Sequence, residues 1–435
     1  YSSVRKFTVS AWLKRTELTV QSLIWFNSNT ATSVQLEFGS DDKLVFLLQD
    51  NVGNGVESYA KTSALFRDTS AWYHVILAVD TTQGTAANRT KIYVNGVNQT
   101  LEQGNGSYDT FPAQNYDCPL QTRHYLLGYD GGNNGFRGYA AEYYFLDGIT
   151  ASPTDFGEFD EDSGIWKPKA YTGGFGNEGY YLDFEDASAL GKDVSSNNQG
   201  NFTHYGGSAA DQATDTPTNN FCTLNVLNNK YLTITEGATK SVESTDSVWY
   251  GCTTTIGVNN GKWYSEGKAI AIGTGIFFGV TPFNGTADAS IGMGSSVFPG
   301  NVADTMGYWN GGGGQVYRDN SVVATIGAFA ANDIIGIALD MDNGYVYFAK
   351  NGTWLNSGNP TSGATGTGGF SLLNPTETHG FAFGLKNSTA GINLSGYKVY
   401  TPSSAASDAN GYGTFEHAPP SGYYAICTKN LAEYG

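Results

Sequence analysis

The 435-residue chain carries 23 basic and 40 acidic side chains, a net charge of −17, and only 14% of its residues are charged, against about 25% in ordinary soluble domains. Gly (57), Tyr (28) and Phe (24) fill the gap, a composition too aromatic for a disordered chain and unlike that of helical bundles. The acidic balance disfavours nucleic acid and anionic membrane as partners, and no apolar run approaches the roughly 20 residues of a membrane-spanning helix. An all-β chain of about two domains remains.

Alternation with period two begins at once: in Phe7-Thr8-Val9-Ser10-Ala11-Trp12-Leu13, positions 7, 9, 11 and 13 share one face. Further strand runs are predicted at 34–38, 44–48, 72–79, 91–94 and 139–146. Asn95-Gly96 after Lys91-Ile92-Tyr93-Val94 predicts a hairpin, because a type I′ turn needs positive φ at both central residues. From Ser152 to about Asn220 the pattern breaks, with one short strand expected at 179–184. Trp166, Tyr171, Phe175, Tyr180 and Tyr181 make this segment too aromatic for a free linker, and it is expected to pack on both domains. A second β-rich region follows, with strands predicted at 248–252, 262–266, 276–280, 315–317, 334–340, 345–350 and 380–385, and another strand meeting Asn351-Gly352. The division is therefore 1–151, a connection over 152–220, and 221–435, two β-sandwiches in series. The chain opens with Tyr1 rather than Met and without a leader motif, so a processed or partial chain is expected.

Three stretches, Phe66-Arg67-Asp68-Thr69-Ser70-Ala71-Trp72-Tyr73-His74-Val75, Lys91-Ile92-Tyr93-Val94-Asn95-Gly96-Val97 and Phe136-Arg137-Gly138-Tyr139-Ala140-Ala141-Glu142, resemble the concanavalin A-like (laminin G/pentraxin-type) jelly roll. The strand that this family places before the Phe7–Trp12 run is missing or shortened. Gly261-Lys262-Trp263-Tyr264-Ser265-Glu266, Phe278-Gly279-Val280, residues 335–344 and Tyr347-Phe348-Ala349-Lys350-Asn351-Gly352 are similar to SPRY domains, as is the close from Phe415 to Leu431 through Pro419-Pro420-Ser421-Gly422-Tyr423. In this order the pieces resemble tail-fibre or appendage proteins of marine and freshwater bacteriophages. The resemblance implies a virion protein on the particle surface. Its partners would be other virion proteins, further copies of itself in a homo-oligomer, and a host cell-surface glycan or protein.

The chemistry-bearing motifs are few. Glu158-Phe159-Asp160-Glu161-Asp162 offers carboxylates of the kind a glycosidase pairs, but it lies outside any predicted strand and reads as an exposed acidic loop. Asp340-Met341-Asp342-Asn343-Gly344 opens like a calcium loop, yet the twelfth position is Asn351 where an EF-hand needs Glu, so a hairpin turn is expected. No cofactor is predicted; a surface calcium ion near Asp130 or Asp147 is left open. His74, beside Trp72 and Ile76, reads as a core histidine. Cys118, Cys222, Cys252 and Cys427 are too far apart for a zinc site and read as buried thiols, with a Cys222–Cys252 bridge as the alternative.

The preferred binding candidate is the glycine run 311–314 with its neighbours Tyr308, Trp309, Asn310, Tyr317, Asp319 and Asn320. Tyr and Trp offer broad faces to a sugar ring or protein anchor, and the Asn and Asp groups add directional hydrogen bonds. The competing reading has these aromatics closing the sandwich core. The expected function is non-enzymatic recognition by loops on rigid sandwiches. The alternatives are a purely architectural subunit, a secreted bacterial adhesin and a glycan depolymerase.

Overall fold

The computed structural model describes residues 1–29, 32–50, 55–104, 106–120, 123–128, 134–161, 163–204, 208–243, 248–397 and 399–435. Asp130 and Asp162 lie outside them. Two compact units divide the chain, Tyr1–Gln212 and Ala213–Gly435. The class is all-β, as the alternation and turn chemistry predict, with antiparallel sheets throughout and only short helices.

The first unit contains β1 (Lys6–Arg15), β2 (Gln21–Asn29), β3 (Thr32–Phe38), β4 (Leu44–Gln49), β5 (Ser58–Thr62), β6 (Tyr73–Asp80), β7 (Thr90–Val94), β8 (Val97–Asn98), β9 (Leu101–Gln103), β10 (Arg123–Leu126), β11 (Gly138–Asp147), β12 (Gly157–Phe159), β13 (Trp166–Pro168) and β14 (Tyr180–Leu182). One sheet runs β14-β11-β1-β6-β7-β8 and the other β10-β2-β3-β4-β5-β9. Between them Phe7, Val9, Leu13, Val75, Leu77 and Phe145 meet Phe26, Leu36, Phe46 and Leu48 in one core. The predicted hairpin forms as expected: Asn95 and Gly96 have φ of 49° and 79°, and Val94 pairs with Val97.

The first sheet is buried on its outer face too. Ile76, Tyr144 and Leu146 point away from the core and are covered by Phe156 and Tyr171. His74 and Trp12 lie on the same outer face beneath Trp166. That cover comes from the segment expected to be irregular. It holds two short strands not foreseen, β12 and β13, which pair with each other, while β14, at the site of the predicted strand, extends the first sheet beside β11. Glu158 thus stands on a strand, a correction to the acidic-loop expectation. Three-residue strands carry too little periodicity to be read from sequence.

The second unit contains β15 (Thr233–Thr235), β16 (Lys240–Glu243), β17 (Tyr250–Thr253), β18 (Lys262–Pro282), α1 (Ala287–Met293), β19 (Met306–Trp309), β20 (Gln315–Arg318), β21 (Ser321–Thr325), β22 (Ile334–Asp340), β23 (Tyr345–Lys350), β24 (Thr353–Trp354), β25 (Phe370–Ser371), β26 (His379–Asn393) and α2 (Thr428–Tyr434). The 21-residue β18 and 15-residue β26 pair along most of their length, with irregularities at Ala269/Ala271 and Ile272/Gly275. Bulges bend strands, so one half of β18 pairs with β22 and the other with β19. Trp263, Ile276, Phe278, Phe348, Phe383 and Ile392 fill the core. All four cysteines are free and buried, and burial pushes the thiols of Cys118 and Cys252 up to about 12.

Candidate functional site

Residue parity on β19 and β20 decides what the preferred segment presents. Tyr308 is fully buried, pairs with Val316, and donates its hydroxyl to the exposed Gly327 O at the edge of the core. The expectation that the loop displays Tyr308 is therefore corrected: this side chain closes the core. Adjacent strand residues face opposite ways, so Trp309 falls on the outer face, where it pairs with Phe277. Tyr317, opposite Gly307, points the same way.

On that face Phe277 is buried at the centre of an aromatic cluster. Phe298 stacks on it at 4.1 Å and 13°, and Trp309 at 5.8 Å and 11°. Tyr317 and Trp249 meet it edge-on at 5.6 and 5.0 Å. Trp249, Phe298, Trp309 and Tyr317 are each half-buried. Fixed rings with part of each left in water form a platform of the kind that stacks on a sugar ring or takes a protein anchor. Trp249, Phe277 and Phe298 were not foreseen, since they come from separate segments and only the sheet register gathers them.

The platform is built on bare backbone. A Cβ on Gly307 would lie 2.1 Å from Pro299 O, and one on Gly384 2.7 Å from Phe298 Cβ, so only glycine lets the 294–305 loop lie flat on the sheet. Asn310 has a positioning role: its Oδ1 accepts the Ile276 N–H at 2.8 Å. The run 311–314 is a tight turn rather than a free loop, closed by Gly314 N–H to Gly311 O at 2.9 Å. Asp319 and Asn320, with φ of 48° and 59°, form the exposed turn between β20 and β21 at the other end of β20. Their side chains face solvent, available to a polar ligand.

The other motifs are structural. Asp340 is fully buried, paired with Lys262 at 2.7 Å and bonded by Asn343 N–H at 3.0 Å, which makes 340–344 a hairpin turn. Among the described residues no group of three or more His, Cys, Asp or Glu side chains is arranged for a metal. Asp147 accepts backbone N–H groups from Asn177 and Glu178, each at 3.2 Å. Asp160 is half-buried and bonded by Ser163 and by Lys167 at 3.0 Å; those donors hold its carboxyl well below the usual range. A glycosidase acid needs the opposite shift, and an enclosing cleft.

His74 is the most perturbed of the imidazoles. It is fully buried, stacked on Trp12 at 4.7 Å, and its Nδ1 accepts the Trp166 indole N–H at 3.0 Å. Because an indole only donates, the ring proton sits on Nε2 and is given to Ser10 Oγ at 2.8 Å. Burial pushes its pKa down to about 3. His74 is a core histidine, as its sequence context implies.

Residues 2–147 match the laminin G-type family model described as the concanavalin A-like lectin/glucanases superfamily. Solved structures similar to this chain include a human SPRY domain (14% identity, 38% of this chain and 94% of that one, TM-score 0.27). Others are the TRIM65 PSpry domain (12%, 40% and 91%, TM-score 0.30) and the SPRY domain of human HERC1 (13%, 39% and 96%, TM-score 0.30). A search of curated proteins finds no match to the chain.

Proposed function

We propose that this chain is a non-enzymatic recognition protein that holds a host cell-surface glycan or protein against the aromatic platform of its second unit. The observation that carries this reading is the set of half-exposed rings, Trp249, Phe298, Trp309 and Tyr317, locked around Phe277. Rigid rings lose little entropy on contact, which suits weak recognition of a sugar face. The match of the first unit to a lectin-containing superfamily is consistent with a binding role. We place the chain, following its resemblance to phage appendage proteins, on a virion among other structural proteins as a homo-oligomer. Multiple copies convert weak single contacts into avidity.

The test is binding of the intact chain to an array of bacterial surface glycans, beside Trp309→Ala and Tyr317→Ala. Retention by at least one glycan, weakened tenfold or more in Trp309→Ala with the fold unchanged by circular dichroism, supports the reading. Equal retention by both variants and the parent overturns it.

A further inference from the structure

A recessed site lies in the same unit, where five segments of the chain converge. It is a cleft of about 290 Å³ whose walls include Lys262, Asp342, Thr361, Ser421, Tyr424 and Tyr434. The walls are anchored to the sheet. Tyr424 N–H donates to Lys262 O and Tyr264 N–H to Tyr424 O, both at 2.9 Å, and the neighbouring Tyr423 hydroxyl donates to Pro360 O at 3.0 Å. Tyr424 and Tyr434 stack face to face at 3.9 Å and 8°. Gly261 joins the two sides: its N–H donates to Asp342 Oδ1 at 2.7 Å, and a Cβ there would lie 2.5 Å from Tyr434 O.

The charges of this cleft do not cancel. Lys262 is neutralised by the buried Asp340. Asp342 is exposed and takes one backbone hydrogen bond, and among the described residues no cation pairs with it. A carboxylate beside tyrosine faces, in a recess the size of one long side chain, suits a planar cation: a guanidinium stacks on the ring while donating in its own plane to the carboxylate.

We infer that this cleft binds an arginine side chain of a partner peptide segment, at a site separate from the aromatic platform. The arginine would lie against Tyr424 or Tyr434 with its N–H groups on Asp342. An ammonium lacks the planar fork and binds more weakly.

The experiment is saturation-transfer NMR on the full chain with acetyl-Gly-Arg-Gly-amide, its Lys and Gln counterparts, and methyl glucoside. The Arg peptide is expected to bind, with the Lys peptide weaker and the Gln peptide silent, and to weaken as salt is raised. Asp342→Asn keeps an acceptor for Gly261 and is expected to weaken the Arg peptide about tenfold or more, whereas Trp309→Ala leaves it unchanged. The inference is overturned by no signal from the Arg peptide, by equal binding of the Lys or Gln peptide, by an unaltered Asp342→Asn variant, or by methyl glucoside binding in place of the peptide. Because the two variants lie at different sites, failure here is separable from failure of the platform.

Discussion

Acid should loosen the first unit through His74. In the folded chain the imidazole is held neutral, its pKa pushed by burial from 6.5 to about 3, while in the unfolded chain it titrates normally. Between those values the unfolded state binds the extra proton, so stability rises with pH across this window and is lost as pH falls from about 6.5 towards 3. Each unit is worth about 1.4 kcal/mol, so the full gap amounts to about 5 kcal/mol, comparable to the whole stability of a small domain. His124, half-buried and stacked on Phe26 at 3.7 Å, is pushed down to about 4 and acts in the same direction. His74→Gln isolates the effect. Loss of the stacked ring costs about 2 kcal/mol at neutral pH, but the variant lacks the titration, so the two stabilities cross about 1.5 units below 6.5, near pH 5. Hydrogen exchange of β6 peptides in both proteins from pH 7 to 4, corrected for intrinsic exchange, reads this locally. Parallel pH slopes, or a His74 ring signal titrating near 6.5 in the folded chain, would refute the reasoning.

Three further perturbations probe packing. Trp166→Ala removes the indole over His74 and should cost about 3–5 kcal/mol, seen as a lower melting temperature of the first unit; an unchanged melt would show the outer cover to be dispensable. Gly307→Ala places a methyl 2.1 Å from Pro299 O and should cost about 1–3 kcal/mol in urea denaturation, with Trp309 emission shifted as the loop lifts. Glu266, fully buried, accepts Tyr400 hydroxyl at 2.7 Å and the N–H groups of Glu416 and His417 at 2.8 Å each. Glu266→Gln turns a donor towards donors and should cost about 1.5–3 kcal/mol, with faster hydrogen exchange around 416–417.

Much of the fold was legible because its signals are local. The run from Phe7 alternates, the apolar run at 345–350 ends on its turn, and both Asn-Gly pairs turn where expected, Asn351 and Gly352 at φ of 48° and 77°. That the aromatic connection would pack was legible, but the sheet face it covers and the partners it takes were not. Nothing in Gly164-Ile165-Trp166 says that this indole will seek an imidazole 92 residues earlier in the chain. The binding candidate was half legible: aromatic density marked 308–317, but which of Tyr308 and Trp309 faces water is a matter of strand parity, and a one-residue change of register would exchange them. Asp342, Tyr424 and Tyr434 share no local motif, so their cleft exists only once the strands are paired.

Recognition at the platform is expected to proceed without bond cleavage. Incubating the chain with the surface polysaccharide that it retains most strongly, then measuring both bound polymer and new reducing ends, tests it most directly. Retention at unchanged polymer length is expected, weakened tenfold or more by Trp309→Ala. New reducing ends accumulating with time, or full retention without Trp309, would contradict it.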